Sequence, residues 1–209
     1  KTPLTIIESY SDLLKRRGKE RPELVEESLD AIHSEAIRMR ELTEQLLFLA
    51  KNESKWQLDF EEIEVIHLVK EIIQHFHSAF NTKVALHVDE AITVFADRKR
   101  LKQLIYVFVE NAYKYSEGNI SIAIGKTDEK HGLIEVIDDG VGIPAEDVDK
   151  IFERFYRVDK ARARKTGGSG LGLAIAKEIA AVIGANVSIE SEEGKGTKAK
   201  IIISLVDYH

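Results

Sequence analysis

The 209 residues of this chain are enough for one large domain or two modest ones. Apolar residues make up 44% of the chain and charged residues 32%, which is typical of a globular protein that buries a core. The formal net charge of −6 argues against general binding to nucleic acid, because a phosphate backbone requires a basic surface. The absence of cysteine excludes disulfides, thiolate metal sites and thiol catalysis.

Nothing in the sequence indicates a membrane segment or a cleaved leader. No stretch approaches the roughly 20 consecutive apolar residues needed to cross a bilayer, and no signal peptide opens the chain. We therefore expect no membrane contact within this chain and a cytoplasmic location for it. Residues 1–5 have the pattern of a helix interior, so we also expect the chain to be a fragment of a longer protein.

The N-terminal part of the chain has helical periodicity. Its apolar residues recur at spacings of three and four, which places them on one helical face. These residues are Leu4, Ile7, Tyr10 and Leu14. Three basic residues followed by Gly18 predict the end of this helix, and Pro22 suits the first turn of a second helix.

The second helix carries a longer pattern. Seven residues follow a 3-4-3-4-3-4 spacing, a coiled-coil seam sustained over three repeats. They are Leu29, Ile32, Ala36, Met39, Thr43, Leu46 and Ala50. One interpretation is that this face packs on the core of its own domain. Two helices alone cannot also bury Leu42, Leu47 and Leu49, so we favour a homodimer in which two hairpins form a four-helix bundle.

Strand and helix patterns alternate after residues 52–55, which we predict to be a linker. The predicted strands are 56–60, 82–88, 120–125, 133–137, 187–190 and 197–205, and the predicted helices are 65–80, 97–115 and 170–183. Asp97 has the residue type of an N-cap. Helices with mostly antiparallel strands indicate an α+β fold, with helices covering one face of a sheet as an α/β sandwich. We predict a helical hairpin over residues 1–51 and a second domain over 56–209.

A carboxylate and two glycines follow the strand that ends near Ile137. Asp138 comes at the strand end, and Gly140 and Gly142 permit positive φ and a close approach of a ligand to the backbone. A carboxylate in an apolar pocket accepts a hydrogen bond from an exocyclic amine such as that of adenine. Asp-Gly is also a strong hairpin signal, and taken alone this motif favours a hairpin turn.

A second glycine-rich stretch, residues 166–172, leads directly into a predicted helix. Backbone N–H groups and the positive dipole end at a helix N-terminus are the usual setting for phosphate. No Gly-Lys-Ser/Thr follows and no strand directly precedes, which excludes the mononucleotide P-loop and the dinucleotide fingerprint. The alternative is a flexible linker, which is disfavoured because a helix begins inside the glycine run.

Two further polar segments belong to the candidate site. Glu110, Asn111 and Lys114 lie within one helical turn, where an amide oxygen suits Mg²⁺ and a lysine suits phosphate. Taken alone, Asn111 is better explained as a surface amide.

Residues 154–165 carry six basic residues and one acid, a composition that predicts a mobile lid beside a phosphate site. A solvated charge run, or a docking patch for an acidic partner, is the alternative.

The order and spacing of these motifs are more informative than any one of them. Together they resemble the asparagine, glycine and phenylalanine boxes of sensor histidine kinases, and the resemblance covers nearly the whole chain. The motifs are residues 111–115, 138–142, 152–157, 168–173 and 194–197. Residues 1–5 resemble the segment directly after the phosphoacceptor histidine in the dimerisation hairpin of that family.

The resemblance implies an ATP-binding domain of the type shared by histidine kinases, gyrases and chaperones, with ATP and Mg²⁺ as ligands. Asp138 would bind the adenine amino group and Tyr115 would line the base pocket. Asn111 would hold Mg²⁺, while Lys114 and Arg157 would contact phosphates. Further nucleotide contacts would come from Gly140, Gly142, Ile143, Phe155, Tyr156, Gly168, Ser169, Gly170, Leu171, Gly172, Leu173 and Thr197.

Other positions receive roles from the resemblance or depart from it. Glu110 matches a position proposed as a base in related ATPases, with a hydrogen-bonding role as an equal alternative, and Thr2 would position water for dephosphorylating a regulator. The family often has a second Asn at the position of Val107, so a weaker Mg²⁺ site is implied. The acceptor histidine is expected upstream of Lys1, and His33 is disfavoured as a substitute because it lies beside the helix seam.

The function implied is phosphoryl transfer from MgATP to a histidine of the hairpin and then to an aspartate of a response-regulator receiver domain. Orientation and charge neutralisation would supply the catalysis. The parent protein is expected to be anchored in the bacterial cell membrane. Two alternatives stay open: an ATPase of the same fold without kinase activity, and a dimeric regulatory module in which ATP only sets the conformation.

Overall fold

A computed structural model describes residues 2–17, 21–50, 57–116, 118–158 and 169–206. The chain divides into two compact units, residues 1–51 and 52–209. The predicted linker at residues 52–55 lies outside the described residues. No helix in the described ranges is both long enough and apolar enough to cross a membrane.

The first unit is a helical hairpin of α1 (Thr2–Arg17) and α2 (Glu23–Ala50). Helix α1 ends in the basic residues Lys15, Arg16 and Arg17, which suit the negative end of the helix dipole, as its sequence predicts. The described residues of α2 that are buried or half-buried include a series spaced mostly four and three apart. They are Leu24, Ser28, Ala31, Glu35, Leu42 and Gln45.

The predicted apolar seam of α2 lies one residue further along the helix, which turns it by about 100° from that buried series. Leu29, Met39 and Leu46 are 53%, 36% and 41% exposed. Ile32 is half-buried, and Ala36 and Thr43 are exposed. The hairpin therefore packs through a series that includes polar residues and leaves much of its apolar seam on the outside.

The second unit contains three helices and seven strands within the described residues. In chain order they are β1 (Phe60–Glu64), α3 (Val65–Phe80), β2 (Val84–Val88), β3 (Thr93–Asp97), α4 (Arg98–Tyr115), β4 (Ile120–Lys126), β5 (His131–Asp138), α5 (Gly172–Val182), β6 (Asn186–Glu192) and β7 (Gly196–Ser204). Five strands form one sheet in the order β2-β4-β5-β7-β6, with only β2 and β4 parallel in it. Strands β1 and β3 form a separate antiparallel pair.

One face of the five-stranded sheet and the apolar faces of the helices form the core. Alternate residues of β5 and β7 are buried, as expected for a sheet covered on one side. The helices contribute apolar residues at spacings of three and four. Their fully buried members include Leu68, Ile72 and Phe76 of α3, Leu101, Leu104 and Ile105 of α4, and Ile179 of α5. The predicted α/β sandwich is confirmed.

The predicted helix 65–80 has the bounds of α3, and the predicted N-cap Asp97 accepts a hydrogen bond from the Arg100 N–H at 2.9 Å. The predicted strand 56–60 is wrong, because residues 57–59 have no strand structure and β1 begins at Phe60. Its partner β3 was not predicted at all. Helix α5 begins two residues later than predicted because Gly170 has a φ of +72°, which a right-handed helix excludes.

Candidate functional site

A row of three polar side chains lies at one end of the covered sheet face. Asp138 of β5 is opposite Thr197 of β7, and Thr197 is opposite Ser191 of β6. The next row on the same face is apolar and consists of Val136, Ala199 and Ile189. The polar row therefore marks the place where the core ends and a pocket for a polar ligand can begin.

Asp138 is held by two backbone donors. Its Oδ1 accepts the Gly140 N–H at 2.8 Å, and its carboxylate also accepts the Thr197 N–H. Burial nevertheless raises the pKa of Asp138 above its ordinary value, because desolvation of the charged form outweighs these hydrogen bonds. A desolvated carboxyl group with a fixed orientation is suited to accept a hydrogen bond from a ligand amine.

The loop after Asp138 packs closely against backbone on two sides. A Cβ on Gly140 would lie 2.3 Å from the Tyr115 carbonyl oxygen, and a Cβ on Gly142 would lie 2.0 Å from that of Glu192. Gly142 also has a φ of +66°. Both positions therefore require glycine. The hairpin alternative is wrong, because β5 pairs with β4 and β7, not with a strand directly after the loop.

Helix α4 presents the predicted cation and amide near its C-terminal end. The Lys114 Nζ donates to the Glu110 Oε1 at 2.8 Å across one turn, and the two side chains are 31% and 40% exposed. Asn111 is half-buried beside them, and Tyr115 is 41% exposed. The structure thus places an amide, an ammonium group, a carboxylate and an aromatic ring at one end of α4.

The N-terminus of α5 lies against α4. A Cβ on Gly172 would contact the Val107 Cγ1 at 3.7 Å, one turn before Asn111. Leu171 is fully buried, and its N–H donates to the Ser169 Oγ at 3.2 Å. The flexible-linker alternative is therefore wrong for residues 169–172, which anchor the start of a helix. Gly168 lies outside the described residues.

The start of the basic segment 154–165 packs against the residues just before α5. The Phe155 N–H donates to the Gly170 carbonyl oxygen at 2.9 Å, while the Phe155 side chain is 58% exposed and its φ is +66°. Tyr156 donates its hydroxyl to Asp147, and this hydrogen bond raises the pKa of Tyr156 to about 12. Arg157 is half-buried. Residues 159–165, most of the predicted lid, lie outside the described residues.

Ser191 is a component of the site that the sequence motifs did not reveal. Its Oγ accepts the Ile143 N–H at 2.9 Å and donates to the Gly196 carbonyl oxygen at 2.7 Å. The available signal was the alternation of residues 186–192, which puts a serine on the same face as Val187 and Ile189. Ile143 and Thr197 are both half-buried around this serine.

Two residues of the phosphotransfer hypothesis lie in the hairpin. The Thr2 side chain is outside the described residues, so its predicted role stays a prediction. His33 is exposed on α2. Within the described ranges, no group of three or more His, Cys, Asp or Glu side chains is arranged to hold a metal ion.

Comparison with known proteins places both units in families. Residues 96–207 match the family of histidine kinase-, DNA gyrase B- and HSP90-like ATPases, and residues 1–55 match the His Kinase A (phospho-acceptor) domain. The sensor histidine kinase YkoH of Bacillus subtilis is 48% identical over 94% of this chain and 43% of its own length. The histidine-protein kinase ArlS of Staphylococcus haemolyticus is 39% identical over 97% of this chain and 46% of its own length. The chain thus spans less than half the length of these relatives.

Solved structures agree with the fold. Histidine kinase ThkA, in its complex with the response regulator protein TrrA, has a TM-score of 0.76 at 25% identity, over 98% of this chain and 58% of that one. Full-length ShkA in complex with AMPPNP has a TM-score of 0.74 at 23% identity, over 89% of this chain and 40% of that one. Because a phospho-acceptor hairpin region precedes the ATPase-type domain, the chain belongs to the sensor histidine kinases of two-component systems.

Proposed function

We propose that this chain is a transmitter core that binds MgATP and transfers the γ-phosphoryl group to a histidine of its dimerisation hairpin, and from there to an aspartate of a response regulator. The observation that carries the proposal is the convergence of three elements in the second unit. The loop after Asp138 is hydrogen-bonded to the polar end of α4, and the N-terminus of α5 lies against α4 at Val107. A kinase of this type supplies orientation and charge neutralisation rather than covalent chemistry.

Each element has a part in holding the nucleotide. Asp138 accepts a hydrogen bond from the adenine amino group, and Tyr115 lines the base pocket. The first backbone N–H groups of α5 have no partner within the helix and therefore suit phosphate oxygens. Lys114 and Arg157 neutralise phosphate charge, and Glu110 orients Lys114 through their ion pair.

The residues present fit a magnesium ion that arrives with the nucleotide. Mg²⁺ keeps several waters and takes few protein ligands when phosphates are available. Asn111 offers one amide oxygen at the edge of the site, Val107 offers none, and no acidic cluster competes in the described part of the chain. When bound, the ion draws negative charge from the phosphates. Asn111 is therefore the one residue to which we assign metal binding.

Dimerisation follows from the exposed seam of α2. Leu29, Met39 and Leu46 are apolar residues of the seam with 3-4 spacing, and the single hairpin leaves them exposed. A second copy of the hairpin buries them in a four-helix bundle. Because exposed apolar stripes of this length are costly in water, we infer that the chain functions as a homodimer.

The remaining parts of the proposal concern the longer protein. A response-regulator receiver domain is the partner, as the complex of ThkA with TrrA suggests by analogy. Thr2 then serves regulator dephosphorylation. We place this chain in the cytoplasm and infer that the parent kinase is anchored in the cell membrane, since a sensor kinase must relate a stimulus to a cytoplasmic regulator.

The experiment is autophosphorylation of a chain extended upstream of Lys1 to include the acceptor histidine, with γ-labelled ATP and Mg²⁺. The label is expected to be acid-labile and base-stable, as phosphohistidine is, and to be strongly reduced at limiting ATP in the Asp138→Asn variant. Labelled chain should then transfer its phosphate to a receiver domain. Nucleotide binding without any labelled protein would reject the kinase and favour a module in which ATP only sets the conformation.

A further inference from the structure

The polar row of the site carries an inference about how adenine is distinguished from other bases, and it rests on the proposed binding of ATP. Ser191 lies beside Thr197 at the end of this row, with 3.0 Å between the two hydroxyl oxygens. Neither family resemblance nor motif spacing pointed to Ser191. Its hydrogen bonds, taken together, determine which way the neighbouring hydroxyl of Thr197 can point.

A serine hydroxyl has one proton to donate and two lone pairs to accept with. The Gly196 carbonyl oxygen, 2.7 Å from the Ser191 Oγ, can only accept. The Ile143 N–H, 2.9 Å away, can only donate. The Ser191 proton is therefore used by Gly196 and one lone pair by Ile143, which leaves a single lone pair for the third partner.

That third partner is the Thr197 hydroxyl, which must donate its proton to the remaining lone pair of Ser191. Thr197 then has only lone pairs to offer to a ligand. Its neighbour across the strands, the ionised carboxylate of Asp138, also offers only lone pairs. The polar row consequently presents two acceptors side by side.

We propose that Ser191 is a positioning residue for base specificity, which fixes Thr197 as a hydrogen-bond acceptor so that the pocket selects a purine with a 6-amino group over one with a 6-carbonyl group. An exocyclic amine has two N–H groups and can satisfy both acceptors, directly or through a water. A carbonyl oxygen in the same place faces two groups that cannot donate to it. A site whose polar groups are left unpaired by the wrong ligand discriminates strongly.

Ser191 has a second effect in the same site. By accepting the Ile143 N–H and donating to Gly196, it joins the loop after Asp138 to the start of β7. The close backbone approaches of Gly142 to Glu192 and of Gly196 to Asp138 lie on either side of it. A purely structural role would make Ser191 important for every nucleotide alike, so the test must separate affinity from selectivity.

The test compares the affinities of the full chain for ATP and for ITP, in which a carbonyl oxygen replaces the 6-amino group. Each nucleotide is titrated into the chain in a calorimeter in the presence of Mg²⁺. Ser191→Ala should lower the preference for ATP over ITP by roughly tenfold, the effect of one neutral hydrogen bond. The reason is that the released Thr197 hydroxyl can turn and donate to the carbonyl oxygen. Ser191→Thr keeps the hydroxyl and should keep the preference.

Ser188→Ala is the matched control, because Ser188 is exposed on the same strand with its side chain on the opposite face. It should change neither affinity. In a Thr197→Val background, Ser191→Ala should no longer alter the preference, since no hydroxyl remains to turn. This dependence on Thr197 is a signature that general destabilisation of the loop does not produce.

An equal loss of affinity for ATP and ITP in Ser191→Ala would overturn the inference and leave Ser191 as a support of the loop. If Ser191→Ala does not fold, Ser191→Cys carries the same expectation, because a thiol is only a weak donor and acceptor. Absence of ATP binding by the unsubstituted chain would instead overturn the proposed function. The two failures are therefore distinguishable.

Discussion

The Val141 N–H donates to the carbonyl oxygen of Tyr115 at 3.2 Å. This hydrogen bond joins the loop after Asp138 to the last residue of α4. The carboxylate proposed to bind the adenine amine and the ring proposed to line the base pocket are thereby held in a fixed relation. The loop conformation and the α4 terminus should respond together to any change that moves either one.

Gly140→Ala tests this coupling. The new Cβ would lie 2.3 Å from the Tyr115 carbonyl oxygen, a backbone atom that cannot rotate away. Overpacking of this kind typically costs about 1–3 kcal/mol of unfolding free energy. We expect a loss of that size in chemical denaturation and at least a tenfold weaker affinity for ATP in calorimetry.

Gly125→Ala is the control for that change. Gly125 lies in β4, and a Cβ there would meet the Asp89 side chain at an ordinary contact distance of 3.6 Å. Alanine also loses less conformational entropy than glycine in a strand. Stability and ATP affinity should therefore stay close to their original values. Similar losses of stability and ATP affinity in both variants would show that the effect of Gly140→Ala does not come from the contact with Tyr115.

Lys114→Ala tests the assignment of this residue to phosphate. The i,i+4 pair with Glu110 is a partly exposed helix pair, which is worth about 0.3–0.5 kcal/mol of stability. A charge-assisted hydrogen bond to phosphate is worth about 1.5–3 kcal/mol. The substitution should therefore weaken ATP binding by roughly 10- to 100-fold, leave adenosine binding within about twofold, and change the unfolding free energy little.

Lys102 provides the matched comparison on the same helix. It makes an analogous ion pair with Glu71 at 3.1 Å and has comparable exposure, but it lies three turns before Lys114. Lys102→Ala should leave ATP and adenosine affinities unchanged. If the two alanine variants reduce ATP affinity equally, the effect is one of overall charge rather than of a contact at the site.

The contrast between predicted and observed elements has physical causes. Helix α3 could be bounded from sequence because its apolar periodicity is strong and Asn81, in the left-handed conformation, ends it. The bounds of strands β1 and β3 could not be predicted from the sequence, because the two strands pair with each other outside the main sheet. The register of that pairing decides where β1 begins. The local hydrophobic pattern of a strand does not indicate which other strand it pairs with.

The candidate site shows the same division. Asp138, Asn111 and the glycine loops carry motif signals that a single sequence contains. Ser191 has no motif of its own, and its importance depends on three atoms that come from Ile143, Gly196 and Thr197. The pairing of β6 with β7 brings Gly196 and Thr197 to Ser191, and the packing of the loop against these strands brings Ile143.

Leu29→Arg tests the dimer interface of α2. Leu29 is 53% exposed in the single hairpin, so an arginine there should not disturb the folded chain. In a two-fold symmetric bundle the change occurs twice, and each buried leucine contributes about 1.5–3 kcal/mol. The dimer dissociation constant measured by sedimentation should therefore rise at least about 100-fold.

Ser34→Arg adds the same side chain to an exposed position of α2 on the face opposite to the seam. It should leave the sedimentation profile of the dimer unchanged. A dimer that tolerates Leu29→Arg as well as Ser34→Arg would have to associate through another surface, and the four-helix bundle would be excluded.

The raised pKa of Asp138 predicts opposite effects on stability and on binding. An acid whose pKa is higher in the folded chain than in the unfolded chain binds more protons when folded, so its contribution to stability falls as pH rises between the two values. At neutral pH the desolvation penalty is therefore fully present. Asp138→Asn removes it, and the variant should be at least as stable as the parent chain at pH 7, with the difference shrinking as pH falls through the raised pKa of Asp138 and absent below about pH 4.

Binding should change in the other direction, because a charged acceptor is lost. ATP affinity of Asp138→Asn should fall by roughly 10- to 100-fold, the value of a charge-assisted hydrogen bond. Adenosine has no phosphate to titrate, so its affinity for the parent chain should decline as pH falls through the raised pKa of Asp138 and stay flat for the variant. A parent chain whose adenosine affinity does not depend on pH in that range would show that the Asp138 carboxylate does not bind the base.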